Sequence, residues 1–295
     1  MPPTDLPRVF VRTLLCHRDM DLAVHCLGSA LACSLDPIEI VIHEDGSLTP
    51  ADRERLAREL PGSRVVDRRV ADAMMRERLA RHPAAAKFRA GSVWGLKLLD
   101  VALLEGGDCF YVDGDIRFFR PFRGLFCREA VAGGSVFLRD TVWAAYSVRP
   151  WHLLDKRGLR VCDAINTGLT LIDRAAYDLD FVDWFLQQPD WRVIDAWTEP
   201  TCWAALALRG RGRAVHPDDV TNLYPSARVT AATVGAHFLS AHRRFFTAEL
   251  AQPLLHTAPP VTVRLEPLGR LGPFGLGFSQ LKRKLGNEWR RRRPN

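Results

Sequence analysis

The first 113 residues repeat one device, a short apolar run followed by a stretch of helical periodicity. "RVFVRTLLC" (8–16), "IEIVIHED" (38–45), "SRVVD" (63–67) and "CFYVD" (109–113) read as strands. "DLAVHCLGSALAC" (21–33), opened by Asp21, reads as a helix. So does "LTPADRERLAREL" (48–60), with Thr49 at its N-cap, Pro50 at its first position and Asp52 in its first turn. A polar helix near 70–81 and another over "SVWGLKLLDVALLEGG" (92–107) complete the alternation. Nearly uninterrupted apolar strands separated by helices require a parallel sheet covered on both faces. Ligands of such sheets sit outside the carboxyl ends of the strands. The end of "CFYVD", where Asp113 and Asp115 stand one residue apart, is therefore the place to look for chemistry.

The second half is less regular. "GSVFL" (134–138), "GLTLI" (168–172) and "VGAHFL" (234–239) read as strands; 174–188 and 199–210 read as helices. Beyond residue 250, "QPLLHTAPPVTVRLEPLGRLGPFGLG" is rich in Pro and Gly and reads as a surface wrap. The expected organisation is a single α/β domain over 1–250, followed by a wrap and basic tail over 251–295.

Charge narrows the function. The net charge of +7 sits mostly in residues 281–295, which hold seven Lys or Arg and one Glu. The remaining body carries 34 basic and 33 acidic side chains, too balanced for a groove that tracks phosphates, so no nucleic-acid partner is expected. No apolar run reaches the roughly 20 residues of a membrane span, and "MPPTDLPRVF" lacks the regions of a signal peptide. Seven cysteines without a C-x-x-C, several in apolar stretches, fit reduced core thiols and a cytoplasmic location.

Hard cations such as Mg²⁺ and Mn²⁺ prefer carboxylate oxygens, and a diphosphate needs one to offset its charge. Two aspartates at i and i+2 past a strand point to one side, so "DGD" (113–115) is a candidate cation site. The plain alternative is a polar turn.

The stretch "LKLLDVALLEGGDCFYVDGDIRFFRPF" resembles the central segment of GT-A glycosyltransferases, where a helix carrying Lys or Arg leads into a strand ending in D-x-D. Three further pieces match in order. "AINTGLTLID" (164–173) resembles the N-[ST]-G strand of family-8-type retaining enzymes, implying site roles for Asn166 and Gly168. "WTEPTCWAALALRG" (197–210) resembles the acidic-Gln helix start, with Glu199 in place and Pro200 where Gln would stand. "AHFLSAHRRF" (236–245) resembles the H-x-x-G-x-x-K segment, with Ser240 for Gly and Arg243 for Lys. The resemblance covers about residues 8–245. It implies a GT-A, Rossmann-like mixed sheet flanked by helices, with Asp113, Asp115 and His237 holding Mn²⁺ or Mg²⁺. His242 is a rival ligand. Arg243 and Lys97 would meet the diphosphate of a nucleotide sugar, a UDP-sugar above others, and "HEDGSLT" (43–49) makes Asp45 a candidate for the nucleoside. Asn166 and Glu199 are the candidate catalytic or sugar-contacting residues.

The implied reaction is transfer of a sugar to a glycan or lipid-linked glycan acceptor of the cell envelope, with retention. Inversion would need a positioned base, for which Asp140 and Asp195 are open. Two other classes compete: a haloacid-dehalogenase-like phosphatase, whose D-x-D normally ends the first strand, and a non-catalytic nucleotide-sugar binder. In the tail, Phe278, Leu281, Leu285 and Trp289 fall at helical spacing beside Lys282, Arg283 and Lys284. This pattern over 278–295 fits peripheral contact with an anionic membrane surface, at its inner face.

Overall fold

The computed structural model describes residues 8–192 and 195–292, with side-chain surroundings for all of these except 195 and 286–292. Its centre is an eight-stranded sheet. From one edge the order is Leu265–Pro267, Arg211–Val215, Gly134–Arg139, Ile165–Ile172, Cys109–Val112, Val9–Leu15, Ile38–Glu44 and Arg64–Val66. Ile165–Ile172 runs against both of its neighbours and the Leu265–Pro267 edge runs against its one neighbour. The remaining pairs are parallel, so the sheet is mixed and mainly parallel within a single α/β domain. Burial explains the apolar runs: every side chain of Cys109–Val112 is buried, as are seven of the eight in Ile165–Ile172. Arg12, in the middle of the first strand, is buried too. Its guanidinium donates to the carbonyls of Val101, Gly106 and Asp108, so its charge is spent on main chain that would otherwise lack partners.

Helices cover both faces, and two apolar clusters result. Thr49 caps Pro50–Glu59 as its sequence requires: Asp52 N–H donates to the Thr49 hydroxyl, and the Asp52 carboxylate accepts from Thr49 N–H. The Val93–Leu103 helix loosens into a π turn over Leu96–Asp100. The expected helix over 174–188 is shorter, Leu179–Leu186, because the first residues form a separate 3₁₀ turn, Arg174–Ala176. A second, three-stranded sheet lies at the carboxyl end of the first. In it Gly235–His237 pairs with Val220–Asn222 on one side and Ile116–Phe118 on the other. The segment beyond 250 is more than a wrap. It supplies the sheet's edge strand, pairs Arg270–Leu271 with Val161–Cys162, and ends in the helix Pro273–Arg292, which buries Leu276 in the core. All seven cysteines are free thiols, five of them buried.

Candidate active site

Asp113 and Asp115 straddle the seam between the two sheets. Asp113 N–H donates to Gly168 O at 2.6 Å, in the larger sheet, while Asp115 O accepts from Phe238 N–H at 2.9 Å, beside the smaller. Gly114 makes the crossing against the Met20–Cys33 helix, where a Cβ would stand 3.0 Å from that of Ala23. The antiparallel strand matters here. Because Ile165–Ile172 runs against its neighbours, its first residues, Asn166 to Gly168, lie at the carboxyl end where Cys109–Val112 finishes.

His237 comes in from the smaller sheet, opposite Ile116. Asp113, Asp115 and His237 each offer one ligand atom, all within 4.8 Å of one another. His237 Nε2 lies 3.1 Å from Asp115 Oδ1 and 3.9 Å from Asp113 Oδ2. The other ring nitrogen, Nδ1, faces Asn222 Oδ1 at 3.1 Å, while the Asn222 amide donates to Arg139 O at 3.0 Å. So oriented, Asn222 accepts from Nδ1–H and turns Nε2 toward the aspartates. The ring also rests on Gly168, where a Cβ would lie 2.4 Å from His237 Cε1. Any side chain at 168 would displace the imidazole.

The donor set suits a hard or borderline divalent cation, two carboxylates and one imidazole. Asp115 Oδ1 is buried and, although His237 Nε2 is within ion-pair distance, accepts no aligned hydrogen bond. An orphaned carboxylate oxygen facing an imidazole nitrogen is what such an ion would satisfy, so the residues fit the metal their pattern implies.

Cationic side chains flank the pair. Lys97, projected inward by the π turn and 6% exposed, donates to both oxygens of Asp113 at 2.9 Å. Burial disfavours its charge, but Asp113 and Glu199 hold its pKa above the usual lysine value. Its ammonium stands 4.9 Å from the ring centre of Tyr111, whose hydroxyl donates to Asp113 Oδ1. Arg243 donates to Asp115 Oδ2 at 2.9 Å, with Asp19 at 3.4 Å. Burial pushes the Asp115 carboxyl up, and His237 and Arg243 outweigh it, leaving its pKa below the usual range.

Glu199 opens the Thr198–Ala207 helix and is 1% exposed. One oxygen accepts from the Thr167 hydroxyl at 3.0 Å; the other has no partner. Burial, only partly offset by Lys97, raises its pKa from 4.5 to about 7. Asn166 Oδ1 accepts from Gly168 N–H, bracing the turn beneath His237.

The remaining candidates lie farther out. Asp45 Oδ1 accepts from Ser47 N–H and Oγ in a turn at the end of its strand. The His242 ring packs 5.6 Å from Tyr224 and is not in the ligand cluster. Asp140 is buried and accepts from Tyr224 Oη at 2.7 Å and from the backbone of Val142 and Trp143. The side chain of Asp195 lies outside the described residues. Sequence reasoning missed Tyr111, Thr167, Asn222 and Asp19. Tyr111 alone gave a signal, at i−2 from Asp113 and on its face of the strand. Two cavities of about 450 and 380 Å³ lie elsewhere, lined by Arg157, Phe181, Trp184 and Arg209 and by Arg8, Asp36, Phe126 and Cys127 among others.

This architecture is shared with solved structures. Mouse xyloside xylosyltransferase 1, apo form, superposes with a TM-score of 0.54 at 11% identity, covering 80% of this chain and 99% of that one. The fold is GT-A. The galactosyltransferase LgtC, in complex with donor and acceptor sugar analogues, gives a TM-score of 0.49 at 12% identity, covering 85% of this chain and 97% of its own. No protein-family model and no curated protein matches the sequence. At such identities the likeness concerns the GT-A fold alone, and the chemistry has to be read from the side chains above.

Proposed function

We propose that this chain is a metal-dependent glycosyltransferase that moves a sugar from a nucleotide sugar to a hydroxyl acceptor. The observation that carries the reading is the convergence of Asp113, Asp115 and His237 at the carboxyl end of a GT-A sheet, with Lys97 and Arg243 beside them. Asp113, Asp115 and His237 would hold Mn²⁺, or Mg²⁺, which when bound offsets the charge of the diphosphate as the sugar departs. Lys97 and Arg243 are cations already engaged with the site carboxylates, Lys97 with Asp113 and Arg243 with Asp115. Their part is to stabilise the developing negative charge, Arg243 as a fork and Lys97 as a point donor. The resemblance assigns Glu199, which accepts from Thr167, to the donor sugar, Asn166 to the sugar-binding strand entry and Asp45 to the nucleoside.

Retention is the reading the resemblance implies. Inversion, the alternative, needs a free base; both oxygens of Asp140 already accept hydrogen bonds from protein, which leaves Asp195, whose side chain lies outside the described residues. With retention the departing phosphate oxygen takes the acceptor proton on the same face. The donor is a UDP-sugar, and the acceptor a glycan or lipid-linked glycan met at the cytoplasmic face of a membrane. The phosphatase reading loses ground because Asp113, the nucleophile it requires, ends the fourth strand in chain order and has both oxygens held by Lys97.

Thermal shift against a panel of nucleoside diphosphates and nucleotide sugars, with and without Mn²⁺, tests the proposal. One nucleotide should stabilise the protein only with metal, and Asp115→Asn should weaken that binding by tenfold or more, on the order of 1.4 kcal/mol. No response to any nucleotide would sink it. Slow metal-dependent hydrolysis of the same donor separates an enzyme from a binder.

A further inference from the structure

The helix Pro273–Arg292 has two unlike faces. Toward the body it buries Leu276, turns Gly277 to Pro150, where a Cβ would lie 3.5 Å from the proline ring, accepts Ala144 N–H on Ser279 Oγ and donates from Gln280 to Val148 O. Arg283 lies over the Trp197 ring at 4.1 Å. At about 100° per residue, Phe274, Phe278, Leu281 and Leu285 fall within about 60° of one another and directly opposite that docked face. They are 53–93% exposed. Lys282 and Lys284 flank the stripe on its two sides.

A second segment, remote in sequence, also turns apolar side chains to solvent. The 3₁₀ helix Pro150–Leu154, on which the C-terminal helix lies, buries His152 and Leu153 and turns Trp151 and Leu154 outward, 63% and 72% exposed. Residues three apart on a 3₁₀ helix share a face. Arg149 and Lys156 bracket the pair. Six large apolar side chains from two segments are thus presented to solvent and edged with lysine and arginine.

We infer that these two exposed apolar segments act together and dock on a lipid bilayer bearing anionic headgroups. A second copy of the chain would meet the same positive rim and be repelled. An anionic bilayer satisfies both the apolar stripe and the charges at its edge. The helix lies along the surface, since no helix among the described residues is long and apolar enough to cross a membrane. The inference is independent of the sugar-transfer reading.

Full-length protein is to be co-sedimented with phosphatidylcholine vesicles, with and without phosphatidylglycerol. Binding is expected only to the anionic vesicles. Phe278→Asp with Leu281→Asp should weaken it by about tenfold or more, and Trp151→Ser with Leu154→Ser should weaken it severalfold. These side chains are exposed, so circular dichroism and the metal-dependent nucleotide shift should not change in either variant. That readout keeps a failure here distinct from a failure of the active-site reading. Equal pelleting with and without vesicles overturns the inference. So does indifference to the Trp151 and Leu154 changes, or a concentration-dependent dimer that the same variants abolish.

Discussion

At the scale of single residues, Glu199 is the most informative side chain. A carboxyl whose pKa rises on folding binds its proton more tightly in the native state. Its contribution is therefore whole below pH 4.5 and is lost as pH rises toward about 7, where the buried group must ionise. Glu199→Gln removes the titration. The variant should gain on the parent by on the order of 3 kcal/mol between pH 4.5 and 7.5, read from urea unfolding at both values. A difference that does not vary with pH would mean that Glu199 is ionised throughout. The D-G-D could be singled out in the sequence because it follows a buried strand, and His237 only through the resemblance of its segment to H-x-x-G-x-x-K. The partners that orient them could not. Thr167 faces Glu199 and Asn222 faces His237 only through strand pairing and helix placement, which leave no local pattern. Asp140 shows the reverse: a candidate base in the sequence, it has one oxygen taken up by the amides of Val142 and Trp143 and the other by the Tyr224 hydroxyl.

At the scale of elements, the helix that delivers Lys97 rests on a buried ion pair. Arg89 donates to both oxygens of Asp100 at 2.6 and 2.7 Å, and Asp100 closes the π turn. Burial raises the Asp100 pKa despite Arg89, so the carboxylate depends on its partner. Arg89→Ala should cost about 3–5 kcal/mol, and adding Asp100→Asn should restore part of it, because the first change strands a buried charge and the second removes it. Additive losses in chemical denaturation would contradict this. The same helix marks a boundary of sequence reading. Its existence follows from apolar spacing, but one extra residue in a turn does not disturb that spacing enough to be seen. Of the smaller sheet, "VGAHFL" was read as a strand and contains Gly235–His237, whereas Ile116–Phe118 and Val220–Asn222 were hidden, being too short to display an alternation. Leu265–Pro267 was hidden by its proline, which is tolerated because the strand is at an edge.

At the scale of the whole molecule, the long central strands were readable because burial on both faces leaves them apolar throughout, whereas the segment beyond 250 read as a wrap and is knit into the body as far as Arg283. A chain ended at residue 250 loses the edge strand, the Arg264–Asp219 ion pair and the buried Leu276, the last alone worth about 1.5–3 kcal/mol. Such a truncation should unfold without cooperativity or precipitate, while one ended at residue 285 should melt close to the full chain in calorimetry. Equal melting of both would show the segment to be dispensable. The seam at Gly114 couples this global order to chemistry. With Asp113 anchored in one sheet, His237 in the other and Asp115 beside it, a cation held between them would act as a rivet. Part of its affinity would be spent joining the sheets, and a loosening of the smaller sheet would weaken the ion by the same factor. Loading would then report on folding, since a molecule whose smaller sheet is out of register could not assemble the ligand set.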